Sequence, residues 1–245
     1  MIFLVTIIDT KIIAHRGASL FAPENTRASL QKAKELGATW IETDVRLTGD
    51  RQLVIFHDDE LNRLTNAEGY VALKSLAYLR SLDIGAWFSD EFKGEKILTL
   101  KEFIKEIIKH NFSLQLELKP MYGDEEMLVS EVVTTIKQYL DYFKDRLFFS
   151  SFSEKCIYFL NSAIPSIPRC MAQNITPRHP ESFARDHNCQ MIHVTSEFIK
   201  NSDLSIIRSS SIDFTVSTVN DRTRAKLFLE NGFQSIITDD PRLLD

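Results

Sequence analysis

The stretch TWIETDVRL, residues 39–47, alternates two kinds of residue. In a β-strand, side chains two apart share a face. Trp40, Glu42, Asp44 and Arg46 therefore take one face, and Ile41, Thr43 and Val45 the other. FSLQLELK, residues 112–119, repeats the pattern, with Gln115, Glu117 and Lys119 opposite Leu114, Leu116 and Leu118. The leucine face is expected to pack on helices, so the charged face points into an enclosed space. Strands of parallel sheets are normally apolar on both faces, and buried unpaired charge is costly. These carboxylates therefore need compensation.

Strand and helix alternate around these two runs. Further strand-like runs are KIIAH (11–15), RLFFSS (146–151), RCMAQ (169–173), CQMIHV (189–194), DFTVSTV (213–219) and SIITD (235–239). Helical patterns lie at NTRASLQKAKELG, with Asn25 as cap and Gly37 as stop, at residues 98–110, and at residues 124–140, which open on acids. Eight strands with helical connections predict one (β/α)8 TIM barrel domain over residues 1–245. The competing architecture, an open doubly wound sheet, lacks its glycine-rich phosphate loop after the first strand. Residues 58–97 break the rhythm between the second strand and its helix. Intervals this long usually carry function or a small fold of their own, and this one is expected to be a small insertion.

Composition narrows the function. The net charge of −5 provides no global basic field, so nucleic acid is not an expected partner and a phosphate ligand needs local cations. Cys156, Cys170 and Cys189 show no metal-type spacing and form no disulfide framework, which fits a reducing, cytoplasmic setting. The opening MIFLVTII lacks the basic flank and cleavage site of a signal peptide. No later apolar run approaches the ~20 residues of a membrane span, so no stable membrane insertion is expected.

Glu42, Asp44 and Glu117 make a hard oxygen set suited to Mg²⁺ or Ca²⁺. A carboxylate–arginine network with Arg16 and Arg46 satisfies the same charges, and the residues alone leave both open. His15 ends the first strand, at the rim where such barrels carry their chemistry. His57 follows RQLVIF, an extended run placed to fold back beside the second strand. Imidazole exchanges protons near neutral pH, and Arg16 and Lys119 supply local positive charge. Of the other histidines, His110 closes a helix and complements its dipole, His179 and His187 are read as solvated, and His193 is a weaker pocket candidate. Residues 195–197, TSE, are read as capping the next helix.

HRGASLFAPENT (15–26), ETDVRLT, LVIFHDDELNRLTNAEG, LDIGAWF, LTLKEF, LELK and TDDP, in this order over nearly the whole chain, resemble the glycerophosphodiester phosphodiesterase family. The resemblance implies a TIM barrel with an insertion after the second strand. It implies hydrolysis of small glycerophosphodiesters to sn-glycerol 3-phosphate and an alcohol, with a divalent cation. Glu42, Asp44 and Glu117 match the metal ligands, His15 and His57 the general acid–base pair, and Arg16 and Lys119 the phosphate contacts. The chain departs from the family at TGDRQ, at ILTL, and at Ser217, where a tryptophan is common. Either the site is roomier there, or Phe152 walls the substrate pocket in its place. The alternatives are action on lysophospholipids, through an apolar groove of Trp87, Phe88 and Phe92, and a phosphodiester-binding protein without turnover.

Overall fold

The structure is a computed structural model and describes residues 7–245. Most of the MIFLVTII run, residues 1–6, lies outside the described residues. The strands are β1 (Ile12–His15), β2 (Trp40–Leu47), β3 (Leu53–Ile55), β4 (Ser113–Leu118), β5 (Leu147–Ser151), β6 (Arg169–Gln173), β7 (Met191–Thr195), β8 (Asp213–Ser217) and β9 (Phe233–Thr238). The helices are α1 (Arg27–Glu35), α2 (Leu76–Ser81), α3 (Leu100–His110), α4 (Glu125–Ile136), α5 (Leu140–Phe143), α6 (Glu154–Ala163), α7 (Pro180–Asp186), α8 (Asn201–Ser209) and α9 (Arg222–Glu230). Eight strands pair in parallel in the order β1-β9-β8-β7-β6-β5-β4-β2, and β1 pairs with β2 to close the barrel. Strand β3 stands outside the ring, antiparallel to β2. It is the run before His57, folded back as its sequence predicts.

The two faces of β2 and β4 divide as their alternation requires. Ile41, Val45, Leu114, Leu116 and Leu118 pack with Phe103, Ile104, Leu128 and Val132 of α3 and α4 in the main apolar cluster. Inside the barrel, Ile8, Ile13, Trp40, Phe148, Cys170, Met191 and Ile237 form a separate floor. Burying one such side chain contributes roughly 1.5–3 kcal/mol. This floor leaves the polar groups stacked above it toward the C-terminal ends of the strands. Between β3 and α3, Val54, Phe56, Leu61, Leu64, Val71, Leu79, Leu82, Ile84 and Ile97 bury one another in their own cluster.

Two sequence expectations are corrected here. Asn25 does not cap α1; Thr26 does, in a reciprocal capping box with Ser29. The Asn25 side chain is instead drawn inward, accepting from Thr43 Oγ1 (2.7 Å) and donating to Asp44 Oδ2 (3.2 Å). The acidic-start helix ends at Ile136, with a 3₁₀ turn over Lys137–Tyr139. Gly37 stops α1 as expected, at φ +81°.

The turn after β1 sets the rim. Arg16 and Gly17 both have left-handed φ, +56° and +88°. Arg16 O accepts from Asn25 N (2.9 Å) and Ser29 Oγ (2.9 Å), which clamps the loop onto the start of α1. A Cβ at Gly17 would lie 2.4 Å from Ser29 Oγ and 2.8 Å from the Ser29 carbonyl carbon. Gly17→Ala combines backbone strain with this overlap and should destabilise the fold by roughly 2 kcal/mol or more. Gly37→Ala, which meets nothing within 4 Å, should cost only the backbone part, about 1 kcal/mol. Urea denaturation of both variants checks this; equal losses would contradict the crowding at Gly17.

Candidate active site

Strand register builds the acidic centre. Asp44 lies beside Glu117 across the β2–β4 pair, and His15 lies beside Glu42 across the β1–β2 pair. Ligand oxygens of Glu42, Asp44 and Glu117 all lie within 4.8 Å of one another, and all three residues are buried. Two cations lean on them. Arg16 Nε is 3.3 Å from Asp44 Oδ2, and Lys119 Nζ is 2.6 Å from Glu117 Oε1 and 3.5 Å from Asp44 Oδ1. Despite its burial, Asp44 is held well below the usual carboxylate range by Arg16 and Lys119. Glu42 goes the other way: burial, then the charges of Asp44 and Glu117, push its carboxyl well above that range. Among the described residues, Glu42 Oε2 is buried with no hydrogen-bond partner. The trio is thus short of positive charge at Glu42.

Both histidines reach the same cavity, of about 260 Å³, which is also lined by Arg16, Lys119, Phe152 and the acidic trio. His15 Nδ1 lies 2.6 Å from Asp239 Oδ1, and its Nε2 is 3.8 Å from Glu42 Oε2. Burial, then the neighbouring Arg16, lowers the His15 pKa against the opposing pull of Asp239. Despite partial burial, the hydrogen bond from His15 holds Asp239 down at about 2. His57 Nδ1 lies 2.6 Å from Asp58 Oδ1. Each imidazole therefore has a carboxylate on Nδ1, which favours the tautomer with Nε2 free to exchange a proton. Phe152 is exposed, with Lys119 Nζ 5.6 Å from its ring centroid.

Other expectations change. Arg46 does not join the acidic network. β2 runs on past the barrel as a hairpin with β3, pairing Arg46 with Val54. Arg46 there donates to the His57 carbonyl from Nε (2.8 Å) and Nη2 (2.5 Å), and to Asp59 Oδ1 (2.5 Å). The segment 195–197 does not cap α8, and Thr195, at the start of a 3₁₀ turn over Ser196–Phe198, makes no side-chain capping bond: it donates to Asn174 Oδ1 (3.1 Å), and Thr195 and Glu197 line the cavity. His193 is buried in the wall, with Nε2 2.5 Å from Ser217 Oγ, and burial lowers its pKa to about 4. His110 is the last residue of α3, as expected, but it is buried beside Phe112, and burial lowers its pKa. His179 is exposed, while His187 stacks on Phe183 with ring centroids 4.1 Å apart. Trp87, Phe88 and Phe92 pack edge to face at 5.5 Å centroid spacings, and none lines the catalytic cavity.

Sequence reasoning passed over Asp239, Asp58 and Asn25. Asp239 had a signal: it follows the last barrel strand, which must pair with the first, and β9 does pair with β1 up to Thr238. Asp58 is the immediate neighbour of His57. Asn25 gave no signal separable from an ordinary helix cap.

Comparison with known proteins agrees with this geometry. The model of the glycerophosphoryl diester phosphodiesterase family matches residues 15–243. A glycerophosphodiester phosphodiesterase of Caldanaerobacter subterraneus subsp. tengcongensis is 33% identical over 239 residues, covering 96% of each chain. An Oleispira antarctica phosphodiesterase, solved with the product sn-glycerol-3-phosphate, superposes with a TM-score of 0.89 at 34% identity, over 95% of this chain and 94% of that one. A glycerophosphodiester phosphodiesterase from Agrobacterium tumefaciens superposes with a TM-score of 0.79 at 30% identity, over 96% and 98% of the two chains. A closed parallel barrel, an acidic trio flanked by two histidines at its open end, and a family match over almost its whole length place this chain in the glycerophosphoryl diester phosphodiesterase family, as an enzyme.

Proposed function

We propose that the chain hydrolyses glycerophosphodiesters to sn-glycerol 3-phosphate and an alcohol, with Glu42, Asp44 and Glu117 holding Mg²⁺ or Ca²⁺ and His15 and His57 as the acid–base pair. The observation that carries this reading is the pairing of each cavity histidine with a carboxylate, at 2.6 Å, in a cavity that the acidic trio, Arg16 and Lys119 also line. Binding without turnover needs no such pair. The donor set fits a hard cation: three carboxylates converge, and a buried Glu42 oxygen lacks a partner. When bound, the cation would neutralise phosphate charge and polarise the phosphoryl group.

The chain's own groups take the remaining roles. Arg16 and Lys119 hold the phosphate oxygens and stabilise charge that grows in the transition state. Lys119 is kept charged despite its burial by Glu117 and Asp44. His15, whose lowered pKa keeps it neutral, accepts the proton of the nucleophile at Nε2. His57 is assigned the proton donated to the departing alkoxide, because the inserted segment, which is expected to contact the alcohol, begins beside it. Phe152 offers its exposed ring to the glycerol carbons. We read residues 1–245 as one domain with residues 58–97 inserted into it. The three free, buried cysteines are in keeping with a reducing, cytoplasmic compartment. Among the described residues no helix is long and apolar enough to cross a membrane.

Chelation should abolish turnover of glycerophosphocholine, and Mg²⁺ or Ca²⁺ should restore it. Glu117→Gln should weaken metal affinity strongly while leaving the fold intact. Full activity in a verified metal-free sample would remove the cation from the account.

His15→Ala and His57→Ala should each lower kcat by about 10²–10⁴-fold. With a nitrophenol leaving group the His57→Ala loss should shrink and the His15→Ala loss should persist. Steady-state kinetics on both esters check this, and equal losses for both variants on both substrates would end the division of roles.

The glycerol hydroxyl next to the ester is a candidate nucleophile. Held against phosphorus it gains from proximity, with effective molarities of about 10⁵–10⁸ M in well-oriented cases. A diester with 1,3-propanediol in place of glycerol should then bind yet turn over far more slowly. Similar rates for the two substrates would make water the nucleophile.

A further inference from the structure

Within the segment between β3 and α3, one guanidinium, that of Arg63, links two residues that line the cavity, His57 and Arg16. Arg63 donates to Asp58 from Nε (2.6 Å) and Nη2 (3.0 Å), and to Glu24 from Nη1 (2.7 Å) and Nη2 (2.8 Å). Each carboxylate also holds a site residue. Asp58 Oδ1 lies 2.6 Å from His57 Nδ1, and Glu24 Oε1 accepts from Arg16 Nη1 at 2.7 Å. Arg16 in turn reaches Asp44. The result is an unbroken chain His57–Asp58–Arg63–Glu24–Arg16, with Arg63 at its centre. We propose that Arg63 is a positioning residue that sets the poses of both His57 and Arg16, tying the leaving-group side of the site to the phosphate side. The His57 half of this proposal rests on the reading of His57 as the leaving-group acid.

The physical case has three parts. A planar guanidinium that grips a carboxylate through two nitrogens fixes the plane of that carboxylate, and here it does so twice. Asp58 Oδ1 accepts from both His57 and Arg63, so Asp58 cannot turn away without losing both. Glu24, for its part, is held below its usual range, despite burial, by Arg63 and Arg16. It separates two arginines that would otherwise repel, and so keeps Arg16 turned toward the cavity. Finally, the Arg63 backbone is not free to drift. Leu61 and Leu64, on either side of it, are buried in the apolar cluster under this segment. That cluster fixes the origin of the guanidinium, and the guanidinium fixes the histidine and the arginine. Lysine offers one point charge and no fork, so it cannot serve both carboxylates.

The test uses Arg63→Ala and Arg63→Lys in the full chain, with thermal melts to confirm folding. On glycerophosphocholine, Arg63→Ala should lower kcat by about 10–100-fold, the usual size of an effect exerted through a supporting hydrogen bond. On the nitrophenyl ester the kcat loss should be at least about 5-fold smaller, since a good leaving group needs little help and only the share exerted through Arg16 remains. Arg63→Lys should recover only part of the loss, and millimolar guanidinium should partly rescue Arg63→Ala. In a His57→Ala background, adding Arg63→Ala should cost clearly less kcat than it does in the wild type, the remainder being the share exerted through Arg16. Inhibition by sn-glycerol 3-phosphate should weaken at least about 10-fold in Arg63→Ala, through Arg16. Equal kcat losses on the two esters, or full additivity with His57→Ala, would overturn the His57 arm. Unchanged inhibition would overturn the Arg16 arm. Should Arg63→Ala melt early, Arg63→Gln, which keeps length and polarity, is read by the same criteria. Failure of the underlying reading looks different: His57→Ala itself would then show no leaving-group dependence, and the inhibition measurement alone would decide whether Arg63 positions Arg16.

Discussion

The site depends on one electrostatic constraint: Glu42, Asp44 and Glu117 are buried together at the mouth of a closed barrel. Their closeness follows from backbone register, because Asp44 stands beside Glu117 across β2 and β4 while Glu42 lies two residues earlier on the same face. Like charges so placed cannot all stay ionised without nearby cations. Arg16 and Lys119 supply two, and they hold Asp44 ionised while Glu42 is driven toward its neutral form. The left-handed turn at Arg16 and Gly17, the inward Asn25 and the buried loop before α1 all serve to keep one of these cations in place. The remaining deficit of positive charge at Glu42 is what suits the cluster to the divalent ion proposed for it.

The two histidines stand on unlike supports. His15 belongs to the barrel itself, and its partner Asp239 follows the last strand, held by Ser19 Oγ (2.8 Å) and Asn220 Nδ2 (2.5 Å). His57 belongs to the hairpin outside the barrel, and its backbone carbonyl is fixed by Arg46 while its ring is fixed by Asp58. In the proposed mechanism, a base on the barrel and an acid carried by a separately packed segment suit a reaction whose leaving groups differ in size. The wall formed by His193, Ser217, Thr195 and Glu197 gives the cavity its other side. With Ser217 hydrogen-bonded to His193, this wall is polar where a large aromatic would make it apolar.

Much of this was legible in the sequence, and the misses have a common cause. The period-two alternation in residues 39–47 and 112–119 identified the inner and outer faces of β2 and β4, because a strand buried on both sides leaves a charged face nowhere else to point. The same logic placed His15 at the rim and β3 beside β2. It failed for Arg46, since alternation gives the face of a residue but not where the strand leaves the barrel. It failed for Asn25, whose residue type suits a cap and whose recruitment by Asp44 depends on a loop conformation that no local pattern encodes. The His15–Asp239 and Arg63–Glu24 contacts were missed because the partners lie 224 and 39 residues apart in the chain. Such contacts emerge only when the barrel closes and the inserted segment folds over it.

The central claim is that the acidic trio holds a divalent cation. Its most direct test is a crystal grown with Mn²⁺, a hard cation visible by its anomalous scattering. The account predicts one anomalous peak bounded by Glu42, Asp44 and Glu117, about 2.0–2.6 Å from an oxygen of each. An empty trio, with all three carboxylates closed onto Arg16 and Lys119, would contradict it.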